Sequence, residues 1–221
     1  MQKELYNLVP KFGICQEGNE NFFCEIIDKV INESGPDEFL RYLEIGTAYG
    51  ETIRGVKQFA RGHPVKRKWQ FIGCDIEGGW SLDVETAMRN GGLEKMSAIG
   101  QKWNMGGDYL VLCDSYSLLR YRWNKEEKLS LALIDACHCF NCVKQDFESV
   151  APLVKPGGII LFHDFEADHL DGGKPNENHG KGIEVTRFIR ESGLEDDKVD
   201  GWKKVGVSGG NWKLFGIQKK L

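Results

Sequence analysis

The chain has 221 residues, enough for one α/β domain with a full core and short for two. Hydrophobic residues at 41% and charged residues at 28% describe an ordinary globular composition, and a net charge of −4 argues against nucleic-acid binding as the main activity. No apolar run reaches the length of a membrane span and the amino end has no signal-peptide pattern, so the expectation is a cytoplasmic protein with neither a membrane nor a nucleic acid as partner. The seven cysteines form an odd set, several of them inside predicted strands and helices, which fits reduced thiols better than a disulfide framework.

Residues Met1–Gly18 have no clear period and read as an arm. Phe22, Phe23, Ile26, Ile27 and Val30 recur at helical spacing, and Ser34-Gly35-Pro36 stops that helix. The expected division is therefore 1–38 as arm and helix, with 39–221 as one domain. A first strand over Phe39–Ile45 runs into Gly46-Thr47-Ala48-Tyr49-Gly50, and a helix follows over Glu51–Arg61. Gly46 permits a sharp turn at the strand's carboxyl end, and Gly50 lets the next helix pack close to the sheet and leaves its first N–H groups open. A dinucleotide fingerprint would need a middle glycine where Ala48 stands, and Glu44 just ahead of the loop suits a hydroxylated or cationic ligand better than a pyrophosphate. Gly62-His63-Pro64 and Lys66-Arg67-Lys68 read as a solvated basic loop with His63 exposed.

Lys68–Asp75 is a second buried strand, and a carboxylate at its end is placed to accept both hydroxyls of a ribose, although a turn or capping Asp is common there. A short helix over Leu82–Asn90 closes on Gly91-Gly92, and Leu93–Lys102 is weakly helical. Asp108–Cys113 is a third strand, followed by Asp114-Ser115 and a helix over Tyr116–Tyr121. Leu131–Asp135 is a fourth strand, and Ala136–Asp146 is the onset of a helix that runs through Phe147 to about Val150. Lys155-Pro156-Gly157-Gly158 then turns the chain, and Ile159–Phe162 is a fifth strand ending in His163-Asp164. If the last two strands are parallel neighbours, Asp135, His138, His163 and Asp164 meet at one rim, as metal-assisted or general-base chemistry requires. Glu166–Gly182 lacks an apolar period and reads as a substrate loop carrying His169 and His179. A helix over Ile183–Ser192 and a hairpin about Ser208-Gly209-Gly210 close the chain.

The loop Glu44-x-Gly46-x-x-x-Gly50 resembles the first motif of the class I S-adenosylmethionine-dependent methyltransferases. Ile134-Asp135, His138, Phe140, Val143, Asp146, Pro156-Gly157-Gly158 and His163-Asp164 resemble a subgroup that includes the macrocin-type sugar O-methyltransferases, with catechol O-methyltransferase as a more distant relative. The match runs in register from about Phe39 to Phe165 and departs from the subgroup at Ala136, Cys137 and Cys139.

The resemblance implies a Rossmann-like, doubly wound α/β sheet of seven strands with a C-terminal antiparallel hairpin. It also implies O-methylation of a small hydroxylated metabolite or sugar. Glu44, Gly46, Thr47, Gly50, Asp75, Asp114, Ser115 and Asp135 would serve S-adenosylmethionine, with Asp114 at the adenine edge. Asp135 and Asp164 would hold a divalent metal such as Mg2+, His138 would be the general base, and His163 a supporting or alternative base. A small-molecule acceptor and a homodimer are the partners it implies.

Two other functions fit parts of the pattern. An NAD-type oxidoreductase lacks its middle glycine, and a non-catalytic cofactor-binding module would accommodate the changes around Cys137. Structural zinc at Cys137-His138-Cys139-x-x-Cys142 is rejected, because four ligands in six residues rarely make one tetrahedral site and paired C-x-x-C knuckles are absent.

Overall fold

A computed structural model of the chain describes residues 19–76, 82–96, 107–118, 127–166, 183–210 and 213–221. The expected arm, most of the 166–182 loop with His169 and His179, and parts of the segments expected over 93–102 and 116–121 lie outside the described residues.

Helix α1 (Asn19–Glu33) buries Phe23, Ile26, Ile27, Val30 and Ile31, the stripe that helical spacing dictates, and the Ser34 hydroxyl donates to the Val30 carbonyl at its end (2.6 Å). Strand β1 (Phe39–Ile45) leads through Gly50 into α2 (Glu51–Gly62), and β2 (Lys68–Asp75) follows. Helix α3 (Val84–Gly91) is capped by Asp83, which accepts from the Thr86 N–H, and closed by left-handed Gly92. Strands β3 (Glu94–Met96) and β4 (Tyr109–Leu112) precede a single helical turn, α4 (Ser115–Ser117). Strand β5 (Leu129–Ile134) leads to α5 (Phe140–Val150) and then to β6 (Val154–Phe165). Helix α6 (Ile183–Glu191) and the strands β7 (Trp202–Val207) and β8 (Lys213–Lys219) complete the chain.

Among the described residues, eight strands form one sheet in the order β3-β4-β2-β1-β5-β6-β8-β7. All pairings from β3 to β6 are parallel, and β8 pairs antiparallel with both β6 and β7. Because side chains alternate along a strand, each central strand feeds two cores. Leu40, Tyr42, Leu131, Leu133, Ile159 and Leu161 join α1 and α2 on one face, whereas Leu43, Ile45, Ala132, Ile134, Ile160 and Phe162 join α5 and α6 on the other. The chain progresses outward from β1 in one direction to β2 and β4 and in the other to β5 and β6. The crevice at this switch lies beyond the carboxyl ends of β1, β2, β4 and β5, where open α/β sheets bind ligands.

Four local expectations are corrected. The sheet has an eighth strand because Glu94–Met96, expected to be weakly helical, pairs with β4. Pro156-Gly157-Gly158 does not turn the chain but forms an irregularity inside β6, where the pairing with β5 jumps from Leu129↔Val154 to Leu131↔Ile159. His63 is buried, its Nε2 lying 2.7 Å from Asp28, a partner on α1 far away in sequence. Gly50 (φ 72°) admits α3 rather than the sheet, since a Cβ there would stand 2.6 Å from the Ala87 carbonyl oxygen.

Phe162 is fully buried, with ring centroids of Phe147, Phe188 and Phe215 at 6.0, 6.1 and 6.4 Å. Phe162→Ala is expected to lower unfolding stability by about 3–5 kcal/mol. Urea denaturation checks this, and a loss below about 1 kcal/mol would mean that the α5–α6 face is not packed as described.

Candidate active site

Three strand ends are tied together beneath the crevice. The Gly46 N–H donates to the Cys74 carbonyl (2.8 Å), and the Asp135 N–H donates to the Ile45 carbonyl (2.9 Å). Gly46 has φ 87°, and a Cβ on it would stand 2.1 Å from the Asp135 carbonyl oxygen, so only glycine lets the ends of β1 and β5 meet.

Above them lies a cleft of about 190 Å³, with Gly46, Asp75, Asp114, Ser115, Cys137 and Asp146 among its lining residues. Asp75 accepts the Ala48 N–H on one carboxylate oxygen and the Ile76 N–H on the other, both at 2.8 Å, which fixes its direction. Burial raises its pKa against these bonds. Asp114 caps α4, accepting from the Ser117 N–H (2.8 Å) and hydroxyl (2.7 Å), while still facing the cleft. Ser115 is buried and its hydroxyl donates to Asp146, whose carboxyl burial pushes up to about 6.

Four residues expected to serve the donor are not in the cleft's lining: Asp135, which belongs to the adjoining rim, and Glu44, Thr47 and Gly50. Glu44 is buried, accepts the Tyr42 hydroxyl (2.7 Å), and is held by burial well above the usual carboxylate range. Thr47 is buried with its hydroxyl directed to the Cys74 carbonyl (3.4 Å), and Gly50 sits against α3. Asp146 is the residue that site reasoning passed over. Its signal was present as the one acid in the buried stripe Val143, Asp146, Val150 of α5.

At the adjoining rim Asp135, His138, His163 and Asp164 do converge. His163 Nδ1 lies 2.9 Å from Asp135 and 3.0 Å from Asp164, and His138 Nε2 lies 3.1 Å from Asp164 and 3.7 Å from Asp135. Neighbours along a regular strand point to opposite faces, so the presence of both His163 and Asp164 here needs an explanation. A one-residue bulge supplies it: Phe162 pairs with Phe215 and Phe165 with Lys213, so three steps on β6 match two on β8. Within the bulge Asp164 has φ 60°, an uncommon conformation for a side-chain-bearing residue.

Burial would raise the Asp135 carboxyl, but the charges and hydrogen bonds of His163 and His138 outweigh it and hold the group at about 2. Burial likewise disfavours the His163 imidazolium, yet Asp135 and Asp164 push it up to about 9. His138 is raised as well, its burial outweighed by the same two carboxylates. Asp135, His138 and Asp164 can each offer one ligand atom, all within 4.8 Å of one another. His163 Nε2 is buried without a hydrogen-bond partner among the described residues. Two carboxylates and an imidazole suit a divalent cation, so the donor set fits a metal.

A methyltransferase-domain family model matches residues 43–165, more than half of the chain, from the last residues of β1 to the bulge. The chain belongs to the methyltransferase-domain family. No curated relative matches it in sequence.

Similar solved structures include the O-methyltransferase TomG from Streptomyces achromogenes, involved in tomaymycin synthesis and solved with S-adenosylmethionine. It is 13% identical, with 91% of this chain and 81% of that chain covered and a TM-score of 0.58. The O-methyltransferase NovP is 14% identical, with 91% and 79% covered and a TM-score of 0.60. An O-methyltransferase from Bacillus cereus with S-adenosylhomocysteine is 14% identical, with 99% and 88% covered and a TM-score of 0.58. At these identities the likeness speaks for the fold.

The raised pKa of His163 has a consequence for stability. A group whose pKa is higher in the folded than in the unfolded chain stabilises fully below its unfolded value near 6.5, and that contribution is lost as pH rises through about 9. His163→Gln is therefore expected to cost roughly 3 kcal/mol at pH 6. The gap to wild type should narrow toward pH 10. Urea titrations at the two pH values check this, and a pH-independent gap would mean that His163 is not the charged partner of Asp135 and Asp164.

Proposed function

We propose that this methyltransferase transfers a methyl group from S-adenosylmethionine to a hydroxyl oxygen of a small metabolite or sugar. The observation that carries the reading is the adjacency of two different environments: a nucleoside-sized cleft with a fixed carboxylate at Asp75, and the carboxylate–imidazole rim that begins at Asp135. The continuous backbone Asp135-Ala136-Cys137 links them, since Ala136 and Cys137 line the cleft.

In the donor cleft, the Asp75 carboxylate would accept the ribose hydroxyls, while Asp114 and Ser115 would meet the adenine. The backbone at Gly46 would allow the sulfonium end to approach the sheet. Glu44 then acts from below, orienting the loop through β1 and Tyr42. Methyl transfer is an in-line displacement, and its main requirement is that the acceptor oxygen be held opposite the sulfur.

At the rim, His138 would take the acceptor's proton at Nε2, the atom that faces Asp164. Only neutral imidazole can do so, and the two carboxylates favour the charged form. His163, held protonated across neutral pH, positions the carboxylates rather than moving the proton. A divalent metal such as Mg2+ would be held by Asp135 and Asp164, with His138 within reach, and would lower the pKa of the acceptor hydroxyl.

Asp75→Ala is expected to weaken S-adenosylhomocysteine binding by about tenfold or more, a loss of at least ~1.4 kcal/mol measurable by calorimetric titration. An unchanged affinity would remove Asp75 from the donor site. His138→Ala is expected to lower turnover by about 10²–10⁴-fold while S-adenosylhomocysteine affinity stays within about twofold. The wild-type pH profile should rise with its limb above 6.5, the ordinary histidine value. Full turnover in His138→Ala would remove the general-base assignment.

A further inference from the structure

The three cysteines at the start of α5 have no part in the chemistry above. Cys137, Cys139 and Cys142 are each partly buried, and their sulfurs all lie within 4.8 Å of one another. The helix start brings them together. Cys139 is the extended residue just before α5 (φ −78°, ψ 147°), and its sulfur accepts from the Cys142 N–H at 3.4 Å. That contact folds the first turn back over the loop that carries Cys137.

His138, inside the same run, turns the other way, toward Asp164. The run is thereby sorted by ligand softness, with imidazole beside hard carboxylates on one side and three thiols on the other.

We propose that Cys137, Cys139 and Cys142 form a three-thiolate site for a thiophilic d¹⁰ cation of the zinc and cadmium class. Sulfurs bound at about 2.3 Å to one ion lie roughly 3.8–4.0 Å apart, so small side-chain rotations would close the present cluster around it. Each thiol that ligates releases its proton to solvent. The N–H groups of the first turn of α5, that of Cys142 already on the Cys139 sulfur, offset the negative charge of three thiolates. The partial exposure of all three residues leaves a fourth position to water. This differs from the structural four-ligand zinc excluded above, because His138 is not a ligand and Cys139 caps α5 without an ion. Cys137 and Cys142 also line the cleft, which puts the bound ion in the cleft wall.

The test is titration of the reduced, metal-free full chain with cadmium ion, followed by thiolate-to-cadmium charge-transfer absorbance. A single saturable equivalent is expected in wild type. Cys139→Ser and Cys142→Ser should each weaken it by roughly tenfold or more. Cys24→Ser, which alters a cysteine buried in the core with α1, should leave it unchanged. Far-UV circular dichroism establishes that each variant is folded, and Cys137→Ser, placed before the helix, replaces any that is not. No charge-transfer band in wild type would overturn the proposal. A band that survives in the cluster variants, or is lost equally in Cys24→Ser, would do the same.

Discussion

Asp164 is fully buried, and a carboxylate taken out of water without partners would cost several kcal/mol. The rim of this methyltransferase is arranged around that constraint. His163 stands between Asp164 and Asp135, and His138 approaches the same pair from the loop before α5. Opposite charges in a low dielectric keep Asp135 ionised and His163 protonated together. The result is a polar group whose geometry is set before any acceptor arrives. Such preorganisation would let the site hold the His138 nitrogen proposed to take the proton, and two carboxylate oxygens, in place without rearrangement during the reaction.

The fold reaches this arrangement through two departures from regular structure. At Gly46 the β1 backbone comes so close to the Asp135 carbonyl that any side chain would collide, which locks the cleft to the rim. At the β6 bulge the chain re-aims His163 and Asp164 so that consecutive residues serve one site. Both lie at carboxyl ends of strands, where the sheet is rigid below and open above. Strands β3 and β7, at the two edges of the sheet, lie farther out, whereas β8 enters this geometry as the partner against which the β6 bulge forms.

The central strands were legible in the sequence, because a strand buried on both faces reads as an apolar run with a charged end. β1 and β2 accordingly begin and end where their residues said they would. Pro156-Gly157-Gly158 misled because its composition is that of a turn, while the pairing of Val154 and Ile159 with β5 on either side holds the segment in a strand. His63 looked exposed because its partner, Asp28, is distant in sequence. The rim quartet could be anticipated only on condition that β5 and β6 were neighbours. The bulge that makes His163 and Asp164 share a site has no sequence signal of its own. Glu44 was readable as part of the loop motif, but its burial against Tyr42 follows from β1 alternation and was not drawn from it. The three thiols were visible as a run. Their separation from His138 depends on where α5 begins, and strand and helix boundaries are the least legible part of a sequence.

The central claim is that one cleft holds the methyl donor and delivers its sulfur to the rim. A crystal structure with S-adenosylhomocysteine tests it most directly. The ribose hydroxyls are expected on Asp75, the adenine beside Asp114 and Ser115, and the sulfur on the side that opens toward His138. A ligand seated elsewhere, such as the larger hollow between Glu38, Lys155 and Gln218 at the opposite ends of the strands, would contradict it. So would a ligand in the cleft with its sulfur turned away from the rim.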